Sequence, residues 1–190
     1  LERLIAARKP LMAGLPGEPV YGMTPEAGFP KNWQQPQPAH PAPADVALPY
    51  AGVRVVEFTH MVMGPTCGML LGDLGAEVIK VEPIDGDNTR RLLGSGAGFF
   101  PTFNRNKKSI ALDLKQPAGV EAALKLIATA DIVSENFKPG TIQKLGLDYA
   151  TLKKLNPRLI YVSHKGFLPG PYDHRTALDE VVQMMGGLAY

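Results

Sequence analysis

The chain is poor in cysteine, in net charge and in long apolar runs, and each shortage excludes a class of protein. Cys67 is the single cysteine among 190 residues, so no internal disulfide can form, which fits a reducing compartment and predicts a cytoplasmic protein. The 20 basic and 18 acidic side chains leave a net charge of +2, which does not indicate nonspecific nucleic-acid binding. No apolar run reaches the roughly 18 residues of a membrane helix, so we expect no membrane partner.

Several motifs for metals and cofactors are also missing. The sequence has no C-x-x-C pair, no H-E-x-x-H and no cluster of histidines and cysteines, so we predict no metal site. The turn after the first predicted strand reads FTHMVMGP and lacks the G-x-G-x-x-G fingerprint, in which glycines let a pyrophosphate approach a helix N-terminus. These absences disfavour an NAD-type Rossmann enzyme, and we predict no bound cofactor.

Residues 52–80 carry the pattern of a β-α-β unit. Residues 53–58 are β-branched and aromatic, which predicts a strand, and residues 76–81 predict a second strand. Between them Pro65 suits the first turn of a helix, and Gly75 suits its end. The predicted apolar face of this helix has the spacing i, i+3, i+4 and i+7 and consists of Cys67, Leu70, Leu71 and Leu74.

Three glycines form a stripe along this predicted helix, because Gly64, Gly68 and Gly72 recur every four residues. Each glycine inside a helix costs about 1 kcal/mol relative to alanine, so we expect something to lie very close to the stripe. Two interpretations remain open. The neighbour is either a tightly crossing helix or strand, or the backbone of a ligand.

The rest of the chain divides into a proline-rich beginning and an alternation of strands and helices. Repeated prolines in residues 1–50 predict an arm or linker, and residues 51–190 form the predicted domain. Further strands are predicted at residues 108–113, 131–135 and 158–163. Further helices are predicted to begin at Pro117, Asp148 and Thr176. This alternation predicts an α/β fold with a Rossmann-like, open and mostly parallel sheet flanked by helices.

Polar residues gather in segments around the predicted strands. These segments contain asparagines, lysines and glycines, and they are residues 104–108, 135–140 and 164–167. In an open α/β sheet the carboxyl ends of the strands form the ligand crevice, and lysines there suit the phosphates of a polyanionic ligand. The alternative for any single lysine is an ordinary solvated surface charge. Three separate segments that each offer a lysine favour the ligand.

Five ordered segments together resemble the class III CoA-transferase family, which includes formyl-CoA:oxalate and carnitine CoA-transferases as well as 2-methylacyl-CoA racemases. The segments are residues 52–80, 103–109, 135–140, 155–161 and 165–172, so the resemblance covers about residues 51–190. It implies a longer enzyme with a Rossmann-like large domain, a smaller domain and two interlocked subunits, hence a homodimer. It also implies that coenzyme A and acyl-CoA thioesters bind across the strand ends as substrates, together with a small carboxylic acid.

The resemblance also implies which residues contact CoA. The turn before the first helix would use backbone groups of Val62 and Met63. The adenine and ribose would be flanked by Phe103, Asn104 and Asn106. The phosphates would face Asn136, Phe137, Lys138 and Lys144. The pantetheine end would be lined by Lys165, Gly166 and Phe167.

In such transferases one aspartate attacks the acyl-CoA thioester, which gives a mixed anhydride and then an enzyme-bound thioester. Asp179 is a candidate, but Thr176 and Asp179 have the T-x-x-D spacing of a capping box, which explains Asp179 structurally. In relatives the nucleophile follows a glycine pair, here Gly186 and Gly187, by about ten residues, so the resemblance implies a nucleophile beyond Tyr190 and no catalytic residue within the chain. These 190 residues by themselves are expected to be inactive.

Two alternatives remain. The first is a CoA-binding or subunit-interaction module without catalysis, which applies if the 190 residues are the complete protein. The second is a 2-methylacyl-CoA racemase. Racemases of the family carry a catalytic histidine immediately before the aspartate that matches Asp179, and here that position is Leu178. Leucine cannot abstract the proton next to the thioester carbonyl, so this alternative is disfavoured.

Overall fold

The computed structural model describes residues 47–188, and their centre is a sheet of five parallel strands. The strands are β1 (Arg54–Phe58), β2 (Glu77–Glu82), β3 (Lys107–Ala111), β4 (Ile132–Glu135) and β5 (Ile160–Ser163). Their order across the sheet is β3-β2-β1-β4-β5, so the chain winds outward from β1 first on one side and then on the other. Because every pair is parallel, all five carboxyl ends lie along one side of the sheet, here called the carboxyl edge.

Helices connect the strands, and the sequence marks several of their ends. The helices described are α1 (Met63–Asp73), α2 (Phe99–Phe103), α3 (Pro117–Ile127), α4 (Thr141–Lys144), α5 (Tyr149–Leu155) and α6 (Asp179–Met185). Two short 3-10 helices, Asn88–Arg91 and Gly94–Gly98, lie between β2 and α2. Pro117 occupies the first turn of α3, and the Asp148 carboxylate caps α5 by accepting a hydrogen bond from the Thr151 amide.

The two faces of the sheet differ in character, because successive residues of a strand point to opposite sides. Val56 and Phe58 belong to the larger apolar cluster, which α3 and α5 complete with Ile127 and Leu152. The other face holds a smaller cluster around Val55, Ala76 and Val78, against which Leu71 of α1 packs. On that second face the sheet also buries charged side chains, including Glu57, Lys80 and Lys107.

The predicted α/β class with an open parallel sheet and flanking helices is confirmed. All five strands lie where the sequence predicted them, although β5 begins two residues later than expected. The proline-rich arm predicted for residues 1–50 lies outside the described residues, apart from residues 47–50. Within residues 47–188, no helix is long and apolar enough to cross a membrane.

The prediction of which face of helix α1 packs against the sheet is wrong. Leu70 and Leu74 are 53% and 40% exposed, whereas Gly64 and Gly68 are buried against the sheet. The apolar spacing suggested that the leucines face the core, but this side of the sheet presents the Glu57 carboxylate. Only a residue without a side chain lets the helix backbone approach the Glu57 carboxylate closely. The glycine stripe therefore reflects close packing, against Glu57 and Lys107 of the sheet at Gly68 and against the loop residues Thr59 and Asn136 at Gly64.

The start predicted for the last helix is also wrong. Helix α6 begins at Asp179 and not at Thr176, and Leu178 occupies the N-cap position without a side-chain cap hydrogen bond. The capping box expected from Thr176 and Asp179 is therefore not formed. Asp179 lies in the first turn, where its Oδ2 accepts a hydrogen bond from Nε2 of Gln183 at 2.5 Å. A negative charge in that position is favourable because of the helix dipole.

Candidate functional site

The carboxyl edge contains a cavity of about 640 Å³ formed by the loops that follow β1, β2, β3 and β4. Its apolar walls include Met61, Ile84, Leu114 and Phe137. Charged groups at its margin include Asp85, Asp113 and Lys115. A cavity of this size, with apolar walls and a few polar groups, is typical of a small-molecule site.

A second cavity, of about 520 Å³, lies between the loops that follow β4 and β5. Its lining includes Ser163, Lys165, Phe167 and His174. Helix α4 separates the two cavities, since Thr141 and Leu145 line the first and Gly140 and Gln143 line the second. The two cavities therefore lie side by side along the carboxyl edge.

Buried charges fix the loops that follow β1 and β2. The Lys80 ammonium, which is 1% exposed, donates a hydrogen bond to the Thr59 carbonyl at 2.5 Å and pairs with Oδ2 of Asp87 at 3.0 Å. Beside it, the Lys107 ammonium lies 2.8 Å from Oε1 of the fully buried Glu57. Burial raises the pKa of Glu57, while Lys107 and Lys80 oppose this shift. Burial likewise lowers the pKa of Lys107, and Glu57 opposes it.

Glu82, the last residue of β2, organises the segment that follows it. Its carboxylate accepts two hydrogen bonds from Arg90, at 2.6 and 2.7 Å, one from the Asp87 amide at 2.8 Å and one from the Ser109 hydroxyl. Burial alone would raise the pKa of Glu82, but these donors outweigh burial and lower it to about 2. The Arg90 guanidinium also stacks on Phe100, 3.6 Å from the ring centre. This network links the β2 loop to α2.

The loops after β4 and β5 are joined through Glu135. Its carboxylate is buried and accepts hydrogen bonds from the Phe137 amide at 2.8 Å, from the Lys165 ammonium at 3.0 Å and from the Ser163 hydroxyl. The same ammonium donates to the Phe137 carbonyl at 2.5 Å. Lys165, predicted to line the pantetheine end of CoA, is therefore already engaged in an internal ion pair.

Most of the residues predicted to contact CoA come together at the carboxyl edge. Val62 is the N-cap residue of α1 and Met63 its first residue, so their amides belong to a helix start whose N–H groups have no intrahelical acceptor. The others brought to this edge follow β4 or β5 and are Asn136, Phe137, Lys138, Lys144, Lys165, Gly166 and Phe167. Phe137 lines the first cavity, and Lys165 and Phe167 line the second.

Lys138 and Lys144 differ from Lys165, because both are exposed and neither ammonium has a hydrogen-bond or ion-pair partner among the described residues. Lys144 is the last residue of α4, the helix between the two cavities. Gly166 is tightly packed instead, since a Cβ there would lie 2.2 Å from Cβ of Ala177. Gly166 therefore makes room for the segment leading into α6.

Three of the predicted residues precede β3 and do not join this group. Nδ2 of Asn106 donates to Oδ1 of Asp73 at 2.8 Å, at the end of α1 that lies far from the carboxyl edge. The Asn104 carboxamide is used internally, by the Phe100 carbonyl at 2.9 Å and by the Lys107 ammonium at 3.3 Å. Phe103 is half-buried and packs edge-on against Phe99.

The residues that line the first cavity most fully were not predicted as site residues. Thr59, His60 and Met61 follow β1, and the segments 83–85 and 113–115 follow β2 and β3. The signal was present, because each segment comes directly after a strand. The sequence prediction relied on lysines and asparagines instead. The local sequence also does not show that β2 and β3 lie next to each other in the sheet.

A parallel sheet of this order with an open, cavity-bearing carboxyl edge defines a Rossmann-like ligand-binding domain. Residues 50–190 match the family described as CoA-transferase family III, and the chain belongs to that family. Formyl-CoA:oxalate CoA-transferases are similar in sequence. The one from Rhodopseudomonas palustris is 46% identical over 143 residues, and the one from Bradyrhizobium diazoefficiens is 43% identical over the same length. The match covers 73% of this chain and 34% of either relative, so the chain spans about a third of their length.

Solved structures agree with this assignment. The orthorhombic crystal form of Rv3272 from Mycobacterium tuberculosis has a TM-score of 0.71 and 43% identity, and a CAIB/BAIF family protein from Brucella suis has a TM-score of 0.69 and 44% identity. Each comparison covers 75% of this chain and 40% of the other.

Proposed function

We propose that the protein transfers coenzyme A from an acyl-CoA to a carboxylic acid, and that residues 51–188 contribute the CoA-binding edge. One observation carries the proposal: a chain of this family presents two adjacent cavities at its carboxyl edge, and the lysines on the segment between them have no partner among the described residues. CoA combines a flat uncharged ring, a polyanionic middle and a long uncharged arm. The apolar walls suit the uncharged parts, and the free ammonium groups suit the phosphates.

We propose the following chemistry for the transfer. An aspartate carboxylate attacks the thioester carbonyl and expels the CoA thiolate, which leaves a mixed anhydride on the enzyme. The thiolate then attacks the aspartyl carbonyl, releasing the first acid and forming an enzyme-bound thioester. The acceptor carboxylate attacks the carbonyl of that thioester, expels the CoA thiolate and forms a second mixed anhydride. The thiolate finally attacks the acceptor's acyl carbonyl in this anhydride and expels the aspartate carboxylate, which gives the new acyl-CoA. Only the last exchange regenerates the aspartate carboxylate, and because every step is an exchange at a carbonyl carbon, no oxidant is required.

Asp179 is not proposed as this nucleophile, although the capping box that first argued against it is absent. Asp179 is exposed, its carboxylate accepts from Gln183, and it lines neither cavity. As the family resemblance implies, we place the proposed nucleophile outside the described residues. Leu178, at the position of a racemase histidine, is 62% exposed and has no acid–base capacity, so a racemase reaction is not proposed.

A CoA-binding module without catalysis is the second candidate. It is favoured because the residues that line the second cavity include no carboxylate nucleophile other than the exposed Asp173.

Homodimer formation is also proposed. Helix α6 exposes a set of large apolar side chains, namely Val181, Val182, Met184 and Met185, and exposed patches of this kind favour association. Sedimentation of the full-length natural protein as a monomer would contradict the dimer.

The experiment that separates the two candidates uses the full-length natural protein that contains these residues. It is incubated with acyl-CoA donors and carboxylic acids, including formyl-CoA and oxalate, and new CoA esters are detected by mass spectrometry. Transfer is expected together with an enzyme-bound thioester that hydroxylamine cleaves. CoA binding without any transfer or thioester would favour the binding module, and an absence of CoA binding would overturn both candidates.

A further inference from the structure

The side chain of Asn136 makes two hydrogen bonds to the backbone of a single residue on another loop. Its Nδ2 donates to the His60 carbonyl at 2.8 Å, and its Oδ1 accepts from the His60 amide at 3.0 Å. A carboxamide is the side-chain group that offers a donor and an acceptor side by side, as a peptide group does. Asn136 follows directly after the Phe58–Glu135 pair of β1 and β4, so it extends this ladder by one step with its side chain.

The loop that Asn136 holds contains an unfavourable backbone conformation. Met61 has a φ of 64°, a left-handed value that is uncommon for a residue other than glycine. Such a conformation persists only where the surroundings fix it. The residues on either side are fixed, because Lys80 holds the Thr59 carbonyl and the Thr66 hydroxyl donates to the Val62 carbonyl at 2.7 Å. Asn136 supplies the two contacts between them.

This loop forms one wall of the first cavity and leads directly into α1. Thr59, His60 and Met61 line the cavity, and Val62 is the N-cap of the helix. The residue after Asn136 forms a neighbouring part of the cavity lining, where the Phe137 ring lies 6.2 Å from the His60 ring. The Phe137 backbone is held independently by Glu135 and Lys165. The Asn136 carboxamide therefore joins two segments of the cavity lining, the loop after β1 and the loop after β4.

We infer that Asn136 is a positioning residue, which promotes CoA binding by holding the 59–62 loop and the start of α1 in the binding conformation and not by contacting CoA. The inference rests on the proposed function, because CoA is the ligand in question. It assigns Asn136 a role different from the direct contact with the phosphates that its motif position implies. Lys138 and Lys144, which have no partner among the described residues, keep the direct role.

The size of the expected loss of CoA affinity depends on how often the loop of the free variant adopts the binding conformation. If the loop of the free variant holds that conformation about a tenth of the time, the apparent affinity for CoA falls about tenfold. A loss of that size is reasonable for two neutral hydrogen bonds. CoA itself would then restore the loop conformation once bound.

The test measures CoA affinity by calorimetry and the hydrogen exchange of residues 59–64 by mass spectrometry, in the full-length natural protein and in Asn136→Ala. Exchange of the free variant is expected to rise about tenfold in this segment, CoA affinity to fall about tenfold, and saturating CoA to return the exchange to the wild-type rate. Asn136→Asp is the second variant. It keeps the acceptor for the His60 amide but sets a charged oxygen in place of the donor against the His60 carbonyl, so exchange is expected to rise at least as much as in Asn136→Ala.

Asn156→Ala is the matched control. Asn156 also makes two internal hydrogen bonds, to the Ala130 carbonyl at 2.7 Å and from the Arg158 amide at 3.2 Å, but it lies before β5 at the opposite edge. It should leave both CoA affinity and exchange of residues 59–64 unchanged.

Three outcomes would overturn the inference. Weaker CoA binding with unchanged exchange would make Asn136 a direct contact, and unchanged affinity with faster exchange would make it structural only. Faster exchange that CoA does not reverse would show that binding does not require this loop conformation. If the wild-type protein does not bind CoA, the proposed function fails instead, and the exchange of the free protein still reports whether Asn136 holds the loop.

Discussion

The carboxylate of Glu57 lies directly against the backbone of Gly68, so closely that a Cβ at residue 68 would be 1.9 Å from Oε2. Glu57 cannot move away easily, because it is fully buried and its Oε1 is bound by Lys107. Lys107 in turn donates to the Pro65 carbonyl at 2.7 Å. The helix, the buried ion pair and the sheet are therefore locked together at this point.

The substitution Gly68→Ala should consequently destabilise the protein. Alanine is normally favoured over glycine inside a helix, but overpacking of a tight contact costs about 1–3 kcal/mol, and the rigid Glu57–Lys107 pair places Gly68 at the upper end of that range. The measurement is chemical denaturation. Gly98→Ala serves as the control, since a Cβ there meets only Oγ1 of Thr102 at 4.0 Å. Equal stabilities of the two variants would show that the Glu57 side chain can move aside.

The second prediction concerns stability at low pH and follows from Glu82. The pKa of its carboxyl is lowered from the ordinary 4.5 to about 2 in the folded protein. The unfolded chain therefore binds the proton first, so the stabilisation is complete above about pH 4.5 and is lost as the pH falls toward 2. A shift of this size corresponds to about 3 kcal/mol.

Glu82→Gln should be less stable than the wild type at pH 7 and should lose less of its remaining stability between pH 5 and about pH 2.5, where only the wild type changes the charge of residue 82. Denaturant unfolding at the two pH values measures both quantities. Parallel pH profiles for the variant and the wild type would contradict the assignment of the acid sensitivity to Glu82.

Local signals in the sequence predicted the sheet and several helix ends, because those features depend on neighbouring residues. Pro117 and Asp148 begin helices for reasons confined to one turn, and both predictions are confirmed. Thr176 carried the same kind of signal, yet the helix begins at Asp179, so a capping pattern does not by itself form a cap. The side chain of Thr176 is exposed, and packing of Ala177 against Gly166 shapes this segment instead.

The contacts of the candidate site depend on distant pairs that no local pattern contains. The burial of Gly68 in place of Leu70 follows from Glu57, which lies on a strand and faces the helix only once the sheet has formed. The pairing of Lys165 with Glu135 joins two strand ends that are neighbours only through the strand order. The sequence predicted lysines after the strand ends, but it could not separate Lys165, which has internal partners, from Lys138 and Lys144, which have none among the described residues.

The third prediction tests the ion pair between Lys165 and Glu135. Lys165→Met removes the ammonium and leaves a buried carboxylate with fewer donors, which should destabilise the protein by about 2–4 kcal/mol. The double variant Glu135→Gln/Lys165→Met should recover part of this loss, because no unpaired charge remains. Unfolding by denaturant measures each member of the cycle. Lys125→Met, which breaks the exposed pair with Glu121, is the control and should leave stability unchanged within error.

If Lys165→Met is as stable as the wild type, the pair is not stabilising and Lys165 is available for a ligand, as the family resemblance first implied. That result would move Lys165 from the internal network to the CoA-binding group. A loss that the Glu135→Gln substitution does not recover would show instead that the aliphatic part of the lysine, and not its charge, is important.

The last prediction concerns the phosphates of CoA and the lysines without partners. Lys144 ends α4 between the two cavities, and its exposed ammonium makes no hydrogen bond or ion pair within residues 47–188. Lys144→Ala should weaken CoA binding by about 1–3 kcal/mol, as expected for a hydrogen bond to a charged group. The loss should shrink at high salt, because exposed charges are screened. Lys154→Ala removes an equally exposed charge from α5, away from the cavities, and should leave CoA affinity unchanged. Calorimetry in low and high salt measures these differences, and equal effects of the two substitutions would mean that net charge, rather than a phosphate contact at Lys144, governs CoA binding.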